Sequence, residues 1–300
     1  MSVNNKRREE RDKEKMKKKS INTFRKEQIQ MLADYLLENF SGEMGNVGWR
    51  NKERGNETMK KFPKIQTIYR RDERGTLLEG QYAIPEFEYL KDNNWVFTEK
   101  VDGTNARIMW QWFEEEGEWK AKMRFGGKTD NAQMHTFLYN KLVAVFSVPE
   151  LFIRTFVEKN GETIKEPMDV CLYGEGYGAR IQRGGGNYIK DGVDFILIDV
   201  KVDEWWLKRE DVEDIANKMN LKVVPIVGNG TLQDAVEMAR EGFDSRWGDF
   251  IAEGIVLRPR IDLMRRNGER IIAKIKHKDF KGGEGRGGEL RKQAQTASTV

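Results

Sequence analysis

Five short segments, each lying in or against a strand candidate, constrain this chain more tightly than any bulk property. In order they are Glu99-Lys100-Val101-Asp102-Gly103-Thr104-Asn105, Tyr173-Gly174-Glu175-Gly176, Asp194-Phe195-Ile196-Leu197-Ile198-Asp199, Glu253-Gly254-Ile255-Val256-Leu257-Arg258 and Lys274-Ile275-Lys276. Each has a bland reading when taken singly. A Lys-x-Asp-Gly match is commonly an exposed strand-turn segment, and a lone Glu175 or Glu253 is a sheet-edge carboxylate. Phe195 alone is core, and Lys274 and Lys276 alone are the solvated face of an edge strand. Together the segments supply a lysine at the end of an apolar strand and a turn that admits close backbone approach at Gly103. They add two carboxylates and two lysines that alternate with Ala273 and Ile275, and so share one strand face.

The intervening chain supplies a scaffold. Strand candidates lie at Lys64 to Tyr69, Trp95 to Lys100 and Ala106 to Trp112. The last continues past the charged turn Glu114 to Gly117 into Trp119 to Phe125 as a hairpin. Asp130 is expected to cap a helix running through Phe137, Leu138, Val143 and Phe146. Further strands are expected at 170–174, 195–200, 255–258 and 271–275. Val212, Ile215, Ala216 and Met219 mark one helix, and Leu232, Ala235, Val236 and Ala239 mark another, with Thr231 and Asp234 as its capping box. This mixture predicts an α+β domain of antiparallel sheets flanked by helices. Upstream, Asn22 or Thr23 can cap a helix that carries Ile29, Ala33, Leu36, Leu37 and Phe40 on one face. The expected division is a basic helical extension over 1–60, a main domain over 61–281 and a flexible tail over 282–300.

Composition narrows the classes of function. Fifteen Phe, eight Trp and eight Tyr argue for a packed core in spite of 34% charged residues. No apolar run approaches the roughly 20 residues of a membrane span, and Met1 to Lys19 lacks the apolar segment of a signal peptide. A cytoplasmic protein with no membrane partner is expected. Cys171 is the single cysteine, which excludes an internal disulfide and a multi-thiolate zinc site. His135 and His277 have no partner at ligand spacing and are read as non-catalytic. Residues 1–26 hold eleven Lys/Arg against four Asp/Glu, so a basic arm precedes a slightly acidic body. Such an arm could contact nucleic-acid phosphates, or it could be a solvated helix laced with opposite charges.

The order and spacing of the five segments resemble those of the ATP-dependent polynucleotide ligases, a group of covalent nucleotidyltransferases. Over roughly residues 62–280 the details resemble the RNA ligase 2 and RNA-editing-ligase branch. Asn105 stands where DNA ligases and capping enzymes usually carry arginine. The stretch Gly178-Ala179-Arg180-Ile181-Gln182-Arg183 looks like that branch's Gly-x-x-Ile-Gln-Lys. The resemblance implies an ATP-grasp-like adenylation domain, with no C-terminal OB domain because so few residues follow Lys276. It also implies ATP and Mg²⁺ (or Mn²⁺) as cofactors.

Residue by residue, the resemblance carries the AMP-accepting lysine to Lys100, the ribose-binding glutamate to Glu175 and the adenine-stacking aromatic to Phe195. The metal-linked glutamate falls on Glu253, and the paired lysines on Lys274 and Lys276. Glu99, Asn105 and Lys128 join the nucleotide-binding set, Lys128 standing where the family often has arginine. The chemistry agrees with these roles. A lysine attacks phosphorus only as the neutral amine, which burial and nearby cations favour, and Lys274 and Lys276 are the obvious cations. Glu253 suits Mg²⁺, which takes hard oxygen ligands, and Arg258 is a further candidate for phosphate contact. The resemblance implies a monomeric RNA ligase that adenylylates itself, passes AMP to a 5′-phosphate and seals it to a 3′-hydroxyl. An ATP-dependent DNA ligase and a non-catalytic nucleic-acid-binding relative are the alternatives.

Overall fold

The structure is a computed structural model that describes residues 61–281, apart from 116–117, 130–131, 160–161 and 164–167. The basic arm, the helix expected at 22–40, Asp130 and the tail lie outside the described residues. Within them, two antiparallel-rich sheets carry the five segments.

In the first sheet the strand Trp95–Glu99 is an interior strand. It pairs antiparallel with Gly254–Pro259 on one side and Ile226–Gly230 on the other. Gly254–Pro259 pairs in turn with Ala273–Lys276, which Gln66–Thr67 joins in parallel at the edge. Alternation gives this sheet two different faces. Trp95, Phe97, Ile255, Leu257, Ala273 and Ile275 pack against Leu232, Ala235, Val236 and Ala239 of the helix Leu232–Glu241. The opposite face carries Thr98, Val256, Arg258, Lys274 and Lys276.

The second sheet runs Trp205–Trp206, Val193–Val202, Val170–Gly178, Thr104–Glu115, Glu118–Gly126 with every pair along that path antiparallel, and Lys222–Val223 joins Val193–Val202 in parallel. One face buries Ala106, Ile108, Trp110, Leu172, Phe195 and Leu197 against the helices Thr136–Phe146 and Arg209–Met219. Burial of this apolar surface, worth about 25 cal/mol per Å², is the main stabilising term. The other face carries Asn105, Arg107, Tyr173, Glu175 and Asp199, so the polar faces of the two sheets bear the site candidates.

The expected α+β architecture is therefore present. The hairpin forms over Thr104–Glu115 and Glu118–Gly126. The capping box forms as expected: the Asp234 N–H donates to Thr231 Oγ1 at 3.2 Å, and the Thr231 N–H donates to Asp234 Oδ2 at 2.8 Å. The helix expected from Asp130 begins only at Thr136. Among the described residues no single helix is long and apolar enough to cross a membrane. Cys171 is buried.

Candidate active site

The register of the first sheet assembles the site. The Lys100 N–H donates to the Gly254 carbonyl and the His277 N–H to the Glu253 carbonyl, at 2.9 and 3.0 Å. Gly254 also pairs with Lys276. Glu253 is thereby delivered between two strand ends, one leading into Lys100 and the other ending at Lys276. Its carboxylate bridges them: Lys100 Nζ donates to Oε2 and Lys276 Nζ pairs with Oε1, both at 2.6 Å. The three side chains are 12–22% exposed, so water screens these contacts only in part.

Lys274 lies two residues before Lys276 on the same strand face and makes no ion pair among the described residues. Burial lowers its pKa, and the charges of Lys100, Lys276 and Lys128 push it down further. Four lysines therefore converge on a region that holds only a few carboxylates, which is an arrangement suited to a polyanion. Lys128 is exposed on the loop after Glu118–Gly126.

Two carboxyl groups complete the polar surround. Glu175 projects from Val170–Gly178, opposite Asn105 in register. Burial raises its pKa to about 7, with the Lys100 charge opposing the rise and Glu253 and Asp102 adding to it. Asp102 is also raised, first by burial and then by Glu253, against the pull of Lys100 and Lys276. The Asn105 Oδ1 is buried and has no hydrogen-bond partner among the described residues. An orphaned acceptor of this kind costs stability unless a ligand supplies a donor.

The turn after Lys100 is held tightly. A Cβ at Gly103 would collide with the Gly176 carbonyl and approach Glu175 Cγ to 2.7 Å, so only glycine allows this approach. Gln182 Nε2 donates to the Gly103 carbonyl at 3.0 Å, and the Asp102 N–H donates to Tyr188 Oη at 3.0 Å. These two contacts were not legible in the sequence, although the Gly178 to Arg183 stretch that carries Gln182 was. Beside the turn, Val101, Ile196 and Val224 form an apolar wall, with half-buried Ile198 and Val223 against it.

Three of the expected site residues are placed elsewhere. Phe195 is 4% exposed in the core, seated over Gly174 and edge-on to Phe146 with ring centroids 5.5 Å apart. It lies on the sheet face opposite Glu175, whose cross-strand partner is Ile196, so its ring has no face open beside the lysines. Glu99 also points away from them. Its Oε1 accepts from Ser245 Oγ at 2.6 Å and its Oε2 from the Arg246 N–H at 2.8 Å. Arg258, considered for phosphate contact, forms a two-pronged pair with Asp199 at 2.6 and 3.2 Å. Asp199 is fully buried and also accepts from Arg270 Nη1 at 2.7 Å, which ties the two sheets together. Neither histidine joins the site: His277 Nδ1 is bonded to the Ala239 carbonyl, and His135 stacks on Phe137.

Among the described residues no three His, Cys, Asp or Glu side chains cluster as a ready-made metal site. Glu253 and Asp102 nevertheless fit a hard divalent cation. Each is a carboxylate under partial burial, Asp102 is raised first by that burial and then by the Glu253 charge, and Mg²⁺ characteristically takes one or two carboxylates and completes its shell with phosphate oxygens and water.

No curated protein matches the chain. Among solved structures, the Naegleria gruberi RNA ligase with PPi is similar at 16% identity and a TM-score of 0.48, covering 84% of this chain and 67% of that one. A mutant of that ligase with AMP and Mn is similar at 17% identity and a TM-score of 0.47, covering 77% and 62%. The chain thus spans about three fifths to two thirds of the length of these ligases. A family model described as RNA ligase matches residues 93–276, a span that opens just before the Trp95 strand and ends at Lys276. On that match, which takes in all five segments and more than half of the chain, the protein belongs to the RNA ligase family.

Proposed function

We propose that this chain is an ATP-dependent RNA ligase that works through an AMP-bearing lysine. Lys100 Nζ attacks the α-phosphorus of ATP, forming an N–P bond while the bond to pyrophosphate breaks. The proton that the ammonium must lose goes to Glu253 Oε2, already 2.6 Å from Nζ. AMP then passes to an RNA 5′-phosphate, and a 3′-hydroxyl displaces it as the strand is sealed. RNA rather than DNA is the expected strand, in keeping with the family.

The observation that carries this reading is the bridge from Lys100 through Glu253 to Lys276, beside the depressed Lys274. Lys274, Lys276 and Lys128 bind and neutralise the triphosphate without the cost of reorganising water. Glu175 and Asn105 offer a carboxyl and an amide oxygen to ribose hydroxyls. The wall of Val101, Ile196 and Val224 gives the base an apolar seat. A divalent cation held by Glu253 and Asp102 would supply charge neutralisation at the phosphates.

The test is a sealing assay with a 5′-phosphate and a 3′-hydroxyl end, run in matched RNA and DNA versions with ATP and Mg²⁺. Joining of RNA, lost on omitting ATP or in Lys100→Ala, supports the reading. Joining of DNA alone contradicts the strand preference, and no joining of either contradicts the function.

A further inference from the structure

We infer that Tyr188 is a positioning residue for the Lys100 nucleophile, and that the loop 245–250 is the anchor it works from. The inference rests on the reading of Lys100 as the AMP acceptor, and it concerns how that lysine is aimed. Lys100 sits where a strand ends and a turn begins, with nothing regular after it to fix its direction. The residues on either side are instead tied down, and both ties lead to the same loop.

On one side, the buried Glu99 carboxylate takes Ser245 Oγ at 2.6 Å and the Arg246 N–H at 2.8 Å. The Trp247 N–H donates to Ser245 Oγ at 3.2 Å, which closes the loop on itself. On the other side, the Asp102 N–H donates to Tyr188 Oη at 3.0 Å. The Tyr188 ring is held by aromatic edges. It lies 5.4 Å from Trp247 and 5.0 Å from Phe250, both of that loop, and 5.9 Å from Tyr177, all near 70–80°. Trp247 and Tyr177 also meet, at 5.7 Å. Edge-to-face contacts of this kind define a ring's orientation as well as burying it.

The Tyr188 hydroxyl is therefore a fixed acceptor that holds the second residue after Lys100, while Glu99 holds the one before it. Nucleophilic attack depends on such placement, since a misalignment of about 1 Å can cost roughly a hundredfold in rate. Tyr188 touches neither nucleotide nor phosphorus in this scheme. It acts on the chemistry through the backbone.

Tyr188→Phe removes the acceptor and keeps the ring. The expected result is a fall of about tenfold in the rate constant for labelling the protein with AMP, with KM for ATP within about twofold of wild type and a melting temperature lowered by no more than about 4 °C, since the Asp102 N–H loses its acceptor. Amide exchange at Asp102 should accelerate in the same variant. A second variant, Trp247→Phe, should give a smaller rate loss of the same kind, because it loosens the ring without removing the hydroxyl. A Tyr188→Phe protein that labels at the wild-type rate, or one whose loss lies wholly in KM or is wholly accounted for by unfolded protein, would overturn the proposal alone. Wild-type protein that carries no AMP on Lys100 would overturn the functional reading, and this proposal with it.

Discussion

Lys100 and Glu253, 153 residues apart in the chain, meet at 2.6 Å because one follows the last residue of a strand and the other precedes the first residue of the neighbouring antiparallel strand. The same carboxylate holds Lys276 through its second oxygen. Glu253 therefore acts as a bridge, offsetting the repulsion between two cations that it holds close, and keeping the nucleophile directed at the lysine face of the sheet.

Replacing Glu253 with Gln should expose this role. The variant leaves two ammonium groups without a counter-charge, so its stability should fall by roughly 1–3 kcal/mol, read from urea unfolding. AMP labelling should fall by more than the unfolded fraction explains. Labelling that merely follows the loss of folded protein would reduce Glu253 to a structural residue.

Lys274 gives the opposite pattern. Its lowered pKa means that the folded state binds the proton less well than the unfolded chain, so the charged side chain costs stability at neutral pH. That cost is relieved only as pH rises from the lowered value towards the ordinary lysine range. Lys274→Met should therefore raise the melting temperature at pH 7 and still cut labelling by about tenfold or more, through loss of a phosphate contact. A variant that is both less stable and less active would contradict this account.

Glu175 has a predictable signature in pH. Its carboxyl is raised to about 7, chiefly by burial, so between the ordinary carboxylate range and that value the folded state holds more protons than the unfolded one. Stability should then decline as pH rises through the window. Melting temperatures of wild type and Glu175→Gln, compared from pH 5 to 8, test this directly: the decline should be smaller in the variant. Parallel curves would mean that Glu175 titrates normally.

The fold was legible in the sequence wherever a pattern is local. Alternation marked the hairpin, period 3.6 marked the helices Arg209–Met219 and Leu232–Glu241, and Thr231 with Asp234 marked a cap that forms as read. The lysine face was legible for the same reason, since Lys274 and Lys276 differ by two. The place of Phe195 was hidden because Phe195, Ile196, Leu197 and Ile198 are apolar on both faces of their strand, so polarity could not say which side chains share a side with Glu175. For Glu99 the signal was present: adjacent strand residues point to opposite faces, and Lys100 claims the site face. Arg258 and Asp199 lie on different sheets, 59 residues apart, and no local pattern joins such a pair.

The most direct measurement is the mass of the intact protein after incubation with ATP and Mg²⁺, followed by peptide mapping. One AMP should be added, it should map to Lys100, and Lys100→Ala should gain none. An adduct on any other residue, or a Lys100→Ala protein that still gains AMP, would contradict the account.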